Sequence, residues 1–330
     1  MAGAEDGTPA MRADVRALLD LLAAQDAPSF AAVGAAKARA GMAAMGALFD
    51  IPPEPIARDE RLAIQRTDGG EIALRLFDHR PSRGPSPIML FLHGGGFVIG
   101  DLETYAGACG VIARRLDLPV LSVDYRLAPE HPWPAGPDDC EAAARAVADL
   151  PGLGFAVTGL VLAGDSAGGC LAAVTAMALR DRPASVPVAA QWLLYPVTDL
   201  RAEAPSYAAF AEDHLLRRED MRWFLDCYGA DRSHRRASPL AGPHHGMPPT
   251  LLVTAALDPL RDEGRAYAAA LVSAGVPTLF VEAAGMVHGF LSMRRALPSA
   301  DEDLSRCYAL LRTMIGLPDS TTSGVSALPA

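Results

Sequence analysis

The spacing of hydrophobic and polar positions divides the chain into two parts. Residues 1–55 are rich in alanine, and their larger apolar side chains recur at helical intervals, first around Val15 and Leu18 and then over Phe30–Phe49. Pro52 ends this pattern, because proline lacks the amide hydrogen that a helix requires. The first part of the chain is therefore predicted to be helical.

After residue 55 the pattern changes to short apolar runs. Two alternating segments, Arg61–Thr67 and Glu71–Phe77, flank Asp68-Gly69-Gly70 and predict a β-hairpin. The later runs are continuously apolar, as expected for strands buried on both faces of a parallel sheet: Ile88–Leu92, Val120–Val123, Leu160–Ala163, Trp192–Tyr195, Leu251–Thr254 and Leu279–Val281. Helical stretches lie between or after them: Tyr105–Arg115, Asp138–Leu150, Ser166–Arg180, Asp262–Ala274 and Ala300–Ile315. This alternation predicts an α/β domain with a mostly parallel central sheet flanked by helices.

One long interval interrupts the alternation. Some fifty residues separate Tyr195 from Pro249, about twice what a crossover needs, and they contain helical pieces near Tyr207–Phe210 and Arg218–Tyr228. This insertion and the N-terminal helices are expected to meet as a cap over one end of the sheet. The predicted organisation is a cap formed by 1–55 and 200–245, a core formed by 56–199 and 246–316, and a flexible tail over 317–330.

Composition and charge exclude several classes of protein. The 330 residues are 50% hydrophobic and 21% charged, which is the wrong balance for a disordered chain. The net charge of -10 disfavours nucleic acid as a partner, and no apolar run approaches the roughly 18 residues of a membrane span. The acidic N-terminus lacks the pattern of a signal peptide, and the five cysteines contain no C-x-x-C pair. A cytoplasmic protein with free thiols is expected.

A candidate nucleophile lies in Gly164-Asp165-Ser166-Ala167-Gly168-Gly169, which fits G-x-S-x-G. In this pattern a sharp strand-to-helix turn exposes the serine hydroxyl, and the glycines allow the strand and the helix to approach closely. A glycine-rich turn with an incidental serine is the alternative. The preceding buried strand and the following helical segment favour the nucleophile.

A second glycine-rich segment, His93-Gly94-Gly95-Gly96-Phe97, follows the predicted strand Ile88–Leu92. Such a run can direct several backbone N–H groups at one anion, either a phosphate or the oxyanion of an acyl-transfer intermediate. A phosphate loop of the G-K-[ST] type needs a lysine that this segment lacks. Beside an exposed serine, the oxyanion is the better interpretation.

A nucleophilic serine needs a base and a carboxylate that orients it. His288 follows the last predicted strand and has glycine at 285 and 289. Taken alone, it is more often a surface residue than a catalytic one, as is each of the other histidines: His79, His93, His131, His214, His234, His244 and His245. Asp258 follows another strand and precedes Pro259, so it also fits ordinary helix initiation. The chain order Ser166, Asp258, His288 is that of α/β hydrolases and favours a catalytic role. Asp199 is a reserve candidate, and Asp262 and Glu263, inside the next helix, are less favoured.

Five motifs in this order resemble one family. They are the two glycine-rich segments, Asp124-Tyr125-Arg126-Leu127-Ala128-Pro129-Glu130, Asp258-Pro259-Leu260-Arg261-Asp262 and His288-Gly289-Phe290. Together they resemble the bacterial hormone-sensitive-lipase-like (family IV) carboxylesterases, which have the α/β-hydrolase fold with a helical cap. The resemblance covers roughly residues 56–315 and extends to the N-terminal helices.

The resemblance implies a role for each matched residue. Ser166 would be the nucleophile, His288 the base and then the acid, and Asp258 the residue that orients the histidine. The oxyanion hole would consist of the backbone N–H groups of Gly95, Gly96 and Ala167. The residues expected to support the site are His93, Gly94, Asp165 and Glu130, with Asp124 and Arg126.

The expected function is hydrolysis of short- to medium-chain carboxylic esters through an acyl-enzyme on Ser166. The family needs no cofactor or metal, and its members are often homodimers, so the expected partner is a small ester, with no nucleic acid. The alternatives are a non-catalytic small-molecule binder, an amidase or lactonase, and a lyase using the same oxyanion hole. The sequence leaves open which cap side chains line the pocket.

Overall fold

The computed structural model describes residues 10–25, 28–66 and 68–317, and its centre is one eight-stranded sheet. The strands are β1 Arg58–Gln65, β2 Glu71–Asp78, β3 Ser86–Leu92, β4 Val120–Val123, β5 Val157–Asp165, β6 Val188–Leu194, β7 Thr250–Leu257 and β8 Thr278–Val287. Their order across the sheet is β1-β2-β4-β3-β5-β6-β7-β8. Strand β2 pairs antiparallel with both of its neighbours, β1 and β4, and all remaining pairs of neighbouring strands are parallel. The predicted hairpin and mostly parallel sheet are confirmed.

Helices cover both faces of this sheet. They are α1 Ala13–Ala23, α2 Phe30–Val33, α3 Ala35–Phe49, α4 Ala106–Leu116, α5 Ala135–Ala146, α6 Ala167–Asp181, α7 Pro205–Ala209, α8 Arg218–Tyr228, α9 Arg261–Ser273 and α10 Ala300–Met314. The core on one face contains apolar residues of α5, α6 and α9, and the core on the other contains those of α1, α4 and α10. Strand β7 is buried at every position, as continuous apolarity predicts for a strand between two helical layers. The α/β-hydrolase architecture predicted from the sequence is confirmed.

The N-terminal helices contact the insertion between β6 and β7. The backbone N–H of Phe30 at the start of α2 donates to Asp220 Oδ1 in α8 at 3.0 Å, and the rings of Phe30 and Phe224 lie 5.5 Å apart. Helix α3 is also fixed to the core, because Arg39 donates to the carbonyl oxygens of Val98 and Ala128. The two helical segments therefore meet, while their division from the core as a separate cap domain stays a prediction.

The structure differs from the expected elements in a few places. The stretch Phe30–Phe49 is broken at Gly34, whose φ of +77° ends α2 and lets the chain restart as α3. Strand β8 extends from Thr278 to Val287, well beyond the predicted Leu279–Val281. Thr67 and residues 318–330, which include nearly all of the predicted tail, lie outside the described residues. Within the described ranges, no helix combines the length and apolarity that crossing a membrane demands.

Candidate active site

The candidate nucleophile sits at the sharp turn between β5 and α6. Ser166 has φ 54° and ψ −119°, a left-handed backbone conformation that is strained for any residue with a side chain. The neighbouring glycines make this turn possible. A Cβ at Gly164 would lie 2.6 Å from the Leu92 carbonyl oxygen, and one at Gly168 would lie 2.5 Å from that of His93. Strand β3, the turn and α6 therefore approach more closely than any side chain at 164 or 168 would allow.

Three side chains from the carboxyl ends of β5, β7 and β8 form one hydrogen-bonded chain. His288 Nε2 lies 2.9 Å from Ser166 Oγ, and His288 Nδ1 lies 2.7 Å from Asp258 Oδ2. Asp258 is fully buried, while Ser166 and His288 retain 6% and 8% exposure. The carboxylate is thus shielded from water and the hydroxyl keeps access to a ligand. Parallel strands deliver all three residues to the same edge of the sheet.

Asp258 combines the two functions considered for it. Its Oδ1 accepts from the backbone N–H of Leu260 at 2.9 Å and stabilises the turn that precedes α9. Its Oδ2 is directed at His288. The local role explains why the residue looks like ordinary helix initiation, and it also fixes the carboxylate beside the histidine.

The other acidic candidates have different partners. Asp199 binds Arg201, and Asp262 binds Arg261. Glu263 accepts from the backbone N–H of Thr198 at 2.7 Å. Of these acidic candidates, all of which the structure describes, only Asp258 shares a hydrogen bond with His288, so geometry favours it over the reserve candidate.

None of the other seven histidines, all of which are described, hydrogen-bonds to Ser166. His93 is fully buried, and burial lowers its pKa to about 4, so the imidazole is neutral at physiological pH. Its Nδ1 lies 2.8 Å from the Gly94 carbonyl oxygen, and its ring stacks on Tyr125 at 4.4 Å. His93 therefore supports the conformation of the glycine-rich loop from the protein interior.

The glycine-rich loop is attached to the serine turn through Asp165. The Gly94 N–H donates to Asp165 Oδ1 at 2.7 Å, and the Tyr105 hydroxyl donates to Oδ2 at 3.0 Å. Burial raises the pKa of Asp165 to about 6, although these donors and the nearby His288 oppose the rise. The carboxylate thereby fixes the position of the loop after β3 relative to the turn after β5.

Three backbone N–H groups beside the serine have no protein acceptor in the described part of the chain. Gly95 and Gly96 adopt φ values of +113° and +59°, and no acceptor takes their amide hydrogens. Ala167 is the first residue of α6, so its N–H has no acceptor inside the helix. Gly95 and Gly96 line the same cavity as Ser166. These are donors that an oxyanion hole requires.

Two supporting residues were missed by sequence reasoning. Glu263 holds Thr198, and the adjacent Val197 N–H donates to the Ser166 carbonyl oxygen at 3.1 Å. The Tyr195 ring lies 4.7 Å from the His288 ring, and its hydroxyl accepts from Leu291 N–H at 3.2 Å. No motif signals either role, because both depend on contacts between distant strands and loops.

Two of the residues predicted to support the site, Glu130 and Arg126, act on it only indirectly. Glu130 pairs with Arg39 of α3, with its oxygens 2.9 and 2.6 Å from the guanidinium nitrogens, and it does not line the cavity. Arg126 pairs with Asp139 in α5. Both residues therefore hold the loop after β4 in place, and any effect on chemistry would pass through that loop.

A cavity of about 820 Å³ opens onto Ser166 and His288. Its wall comes from the N-terminal helices, the β6–β7 insertion and the loops after β3 and β8. It includes apolar residues such as Phe30, Met42, Leu216, Met221 and Phe224. In the described residues no three His, Cys, Asp or Glu side chains converge as a metal ion would need. The site can thus hold a largely apolar ligand against a serine hydroxyl.

The mostly parallel sheet carries a strained serine, a carboxylate and a histidine, which follow one another along the chain in the order Ser, Asp, His. This arrangement defines a serine-type α/β hydrolase. A family model described as the alpha/beta hydrolase fold matches residues 89–292. The chain therefore belongs to this family, the hormone-sensitive-lipase-like hydrolases that its motifs resemble.

Its relatives cover most of its length. Esterase LipI of Mycobacterium tuberculosis is 37% identical over 278 residues, which are 81% of this chain and 87% of that protein. Ethyl acetate hydrolase of Pseudomonas putida is 35% identical and covers 74% of this chain and 79% of its own length. The crystal structure of a thermostable Pseudomonas putida esterase superposes with a TM-score of 0.88 at 31% identity, covering 94% of this chain and 100% of that one.

Proposed function

We propose that this protein hydrolyses carboxylic esters through an acyl-enzyme formed on Ser166. The observation that carries the proposal is the unbroken hydrogen-bonded chain from Asp258 Oδ2 through His288 to Ser166 Oγ, open to an apolar cavity. The family and its relatives, named as esterases and carboxylic ester hydrolases, place the chain among the carboxylic ester hydrolases. The acyl-enzyme and the preference for short to medium acyl chains are the finer parts of the proposal.

Acylation uses each group in turn. Ser166 Oγ attacks the ester carbonyl carbon while His288 Nε2 takes the hydroxyl proton, and Asp258 stabilises the resulting imidazolium. The tetrahedral oxyanion accepts hydrogen bonds from the N–H groups of Gly95, Gly96 and Ala167. The bond to the alcohol oxygen then breaks, and the proton on His288 passes to the departing alkoxide. Ser166 is left as an acyl ester.

Deacylation repeats the sequence with water. His288 removes a proton from the water as its oxygen attacks the acyl carbon, and the second oxyanion occupies the same three donors. The bond to Ser166 Oγ breaks, His288 returns the proton to the serine, and the carboxylic acid leaves. No step requires a cofactor.

The test is hydrolysis of p-nitrophenyl butyrate by the wild type and by Ser166→Ala, with the exposed Ser273→Ala as control. Loss of the nucleophile should lower kcat by about 10⁴-fold or more, while the control stays near wild type. Circular dichroism checks that both variants fold. Normal turnover by Ser166→Ala would contradict the proposal.

Covalent labelling separates this function from the non-catalytic alternative. A fluorophosphonate should add its mass to the wild type and leave Ser166→Ala unlabelled, because labelling requires an activated serine. An unlabelled wild type would favour a binder. Association as a homodimer and a cytoplasmic location remain predictions from the sequence.

A further inference from the structure

Helix α3 presents a gap to the cavity. Met42, Met45 and Gly46 all line the cavity from this helix. A Cβ built on Gly46 would meet no atom within 4 Å outside its chain neighbours and its own helix backbone. Gly46 has no positive φ, so neither backbone geometry nor close packing requires a glycine at this position. Gly41 in the same helix is equally free of neighbours but does not line the cavity, so Gly46 is distinguished by its place on the cavity wall, where an added side chain would occupy open space.

Methionine side chains contribute to the cavity wall at several places. Of the 11 methionines in the chain, five line the cavity. They come from separate segments: Met11 before α1, Met42 and Met45 in α3, Met221 in α8, and Met293 in the loop after β8. Methionine is unbranched and polarizable, so a wall of methionines can pack against apolar groups of different shapes.

The cavity is also larger than the smallest esters need. Its volume of about 820 Å³ lies towards the upper end of the range for ligand sites, roughly 300–1,000 Å³. Acetyl and ethyl groups contain only two carbon atoms each and would leave most of this space unfilled. The open space beside Gly46, here called the compartment, therefore offers room for a larger apolar group.

We infer that Gly46 is a specificity-determining position, whose missing side chain admits a bulky apolar group of the ester between α3 and the active serine. The group is a long, branched or cyclic hydrocarbon, carried on the acyl or the alcohol side of the ester. Met42 and Met45 pack against it from the same helix. This inference rests on the proposed ester hydrolysis at Ser166.

The experiment fills the gap and uses α3 as its own control. Gly46→Leu places a side chain in the compartment. Gly41→Leu adds the same side chain to the same helix at an exposed glycine, which also has nothing within 4 Å but does not line the cavity. Values of kcat/KM are measured with p-nitrophenyl acetate, p-nitrophenyl octanoate, which is bulky on the acyl side, and menthyl acetate, which is bulky on the alcohol side.

Gly46→Leu should lower the ratio of kcat/KM for a bulky ester to that for p-nitrophenyl acetate by tenfold or more. Gly41→Leu should leave every ratio within twofold of wild type. A loss confined to octanoate assigns the compartment to the acyl group, and a loss confined to menthyl acetate assigns it to the alcohol. Gly46→Ala, which adds one methyl group to the open space, should shift the same ratio less and in the same direction, and it covers the case in which the leucine variant folds poorly.

Two failures can be told apart. An active wild type whose ratios are unchanged in Gly46→Leu and Gly46→Ala would overturn the inference and leave the proposed function intact. A wild type that hydrolyses none of the three esters would overturn the proposed function and, with it, the role of Gly46.

Discussion

Replacing Gly168 by alanine tests the geometry of the serine turn most directly. The added Cβ would lie 2.5 Å from the His93 carbonyl oxygen and closer still to that of Leu92, whereas ordinary contact begins near 3.4 Å. Both oxygens belong to the backbone, one at the end of β3 and one directly after it, so no side-chain rotation can relieve the overlap. The loop and the start of α6 would have to separate by about 1 Å or more.

This separation has two measurable consequences. Overpacking of a tight site costs about 1–3 kcal/mol, and we expect the upper end because backbone must move. Because the entropy of unfolding grows with chain length, each kcal/mol lowers the Tm of a 330-residue chain by roughly 1–2 °C. The same shift displaces Ser166 and Ala167 relative to Gly95 and Gly96, and a 1 Å misplacement of reacting groups can reduce the rate about 100-fold.

The assay compares Gly168→Ala with Gly110→Ala. Gly110 lies inside α4, and a methyl group added there would have no neighbouring atom within 4 Å, so alanine should leave activity unchanged and stabilise the helix by up to about 1 kcal/mol. Thermal unfolding gives the two Tm values, and p-nitrophenyl butyrate gives kcat/KM. If Gly168→Ala keeps the Tm of the wild type and a kcat/KM within threefold of it, the close approach of loop and helix is not what holds the serine in place.

Two further variants test the carboxylates behind the serine. Asp258→Asn retains an acceptor for Leu260 N–H but no longer stabilises the imidazolium, so kcat for an ester should fall by about 10⁴-fold with little change in Tm; a near-normal kcat would argue against its role. Burial raises the pKa of Glu263 from 4.5 to about 8, so the folded protein retains this proton over a range in which the unfolded chain has lost it. The contribution of Glu263 to stability is therefore full below about pH 4.5 and is lost as pH rises to about 8. The Tm of Glu263→Gln minus the Tm of the wild type should therefore be larger at pH 9 than at pH 5. An equal difference in Tm at both pH values would contradict this titration, and Glu302→Gln, at an exposed carboxylate, is the matched control.

The sheet and the three principal site residues could be predicted because their signals are local. Continuous apolar runs mark strands that are buried on both faces, and G-x-S-x-G marks a turn whose sterics involve neighbouring residues. Strand ends in a parallel sheet share one edge, so Ser166, Asp258 and His288 could be placed together before any tertiary contact was known. The hydrogen bonds at 2.7 and 2.9 Å agree with that reasoning.

Other features could not be read from the pattern. Strand β8 is one of the two edge strands of the sheet, and Glu282 interrupts the apolar run that would have revealed its full length. Gly34 resembles the other glycines of the N-terminal segment, yet it alone among Gly34, Gly41 and Gly46 has a positive φ and breaks the helix. The support from Glu263 depends on a loop 65 residues away in sequence, which periodicity does not encode.

Asp165 shows how local and tertiary information combine in one motif. In G-x-S-x-G its position admits any residue, because the sterics of the turn constrain only the glycines and the serine. The structure nevertheless uses this carboxylate to bind Gly94 N–H, which belongs to the loop after a different strand. The oxyanion donors proposed here come from both loops, two from the loop after β3 and one from the start of α6. Asp165 therefore joins the two segments that carry these donors, so the serine turn and the glycine-rich loop form one structural unit.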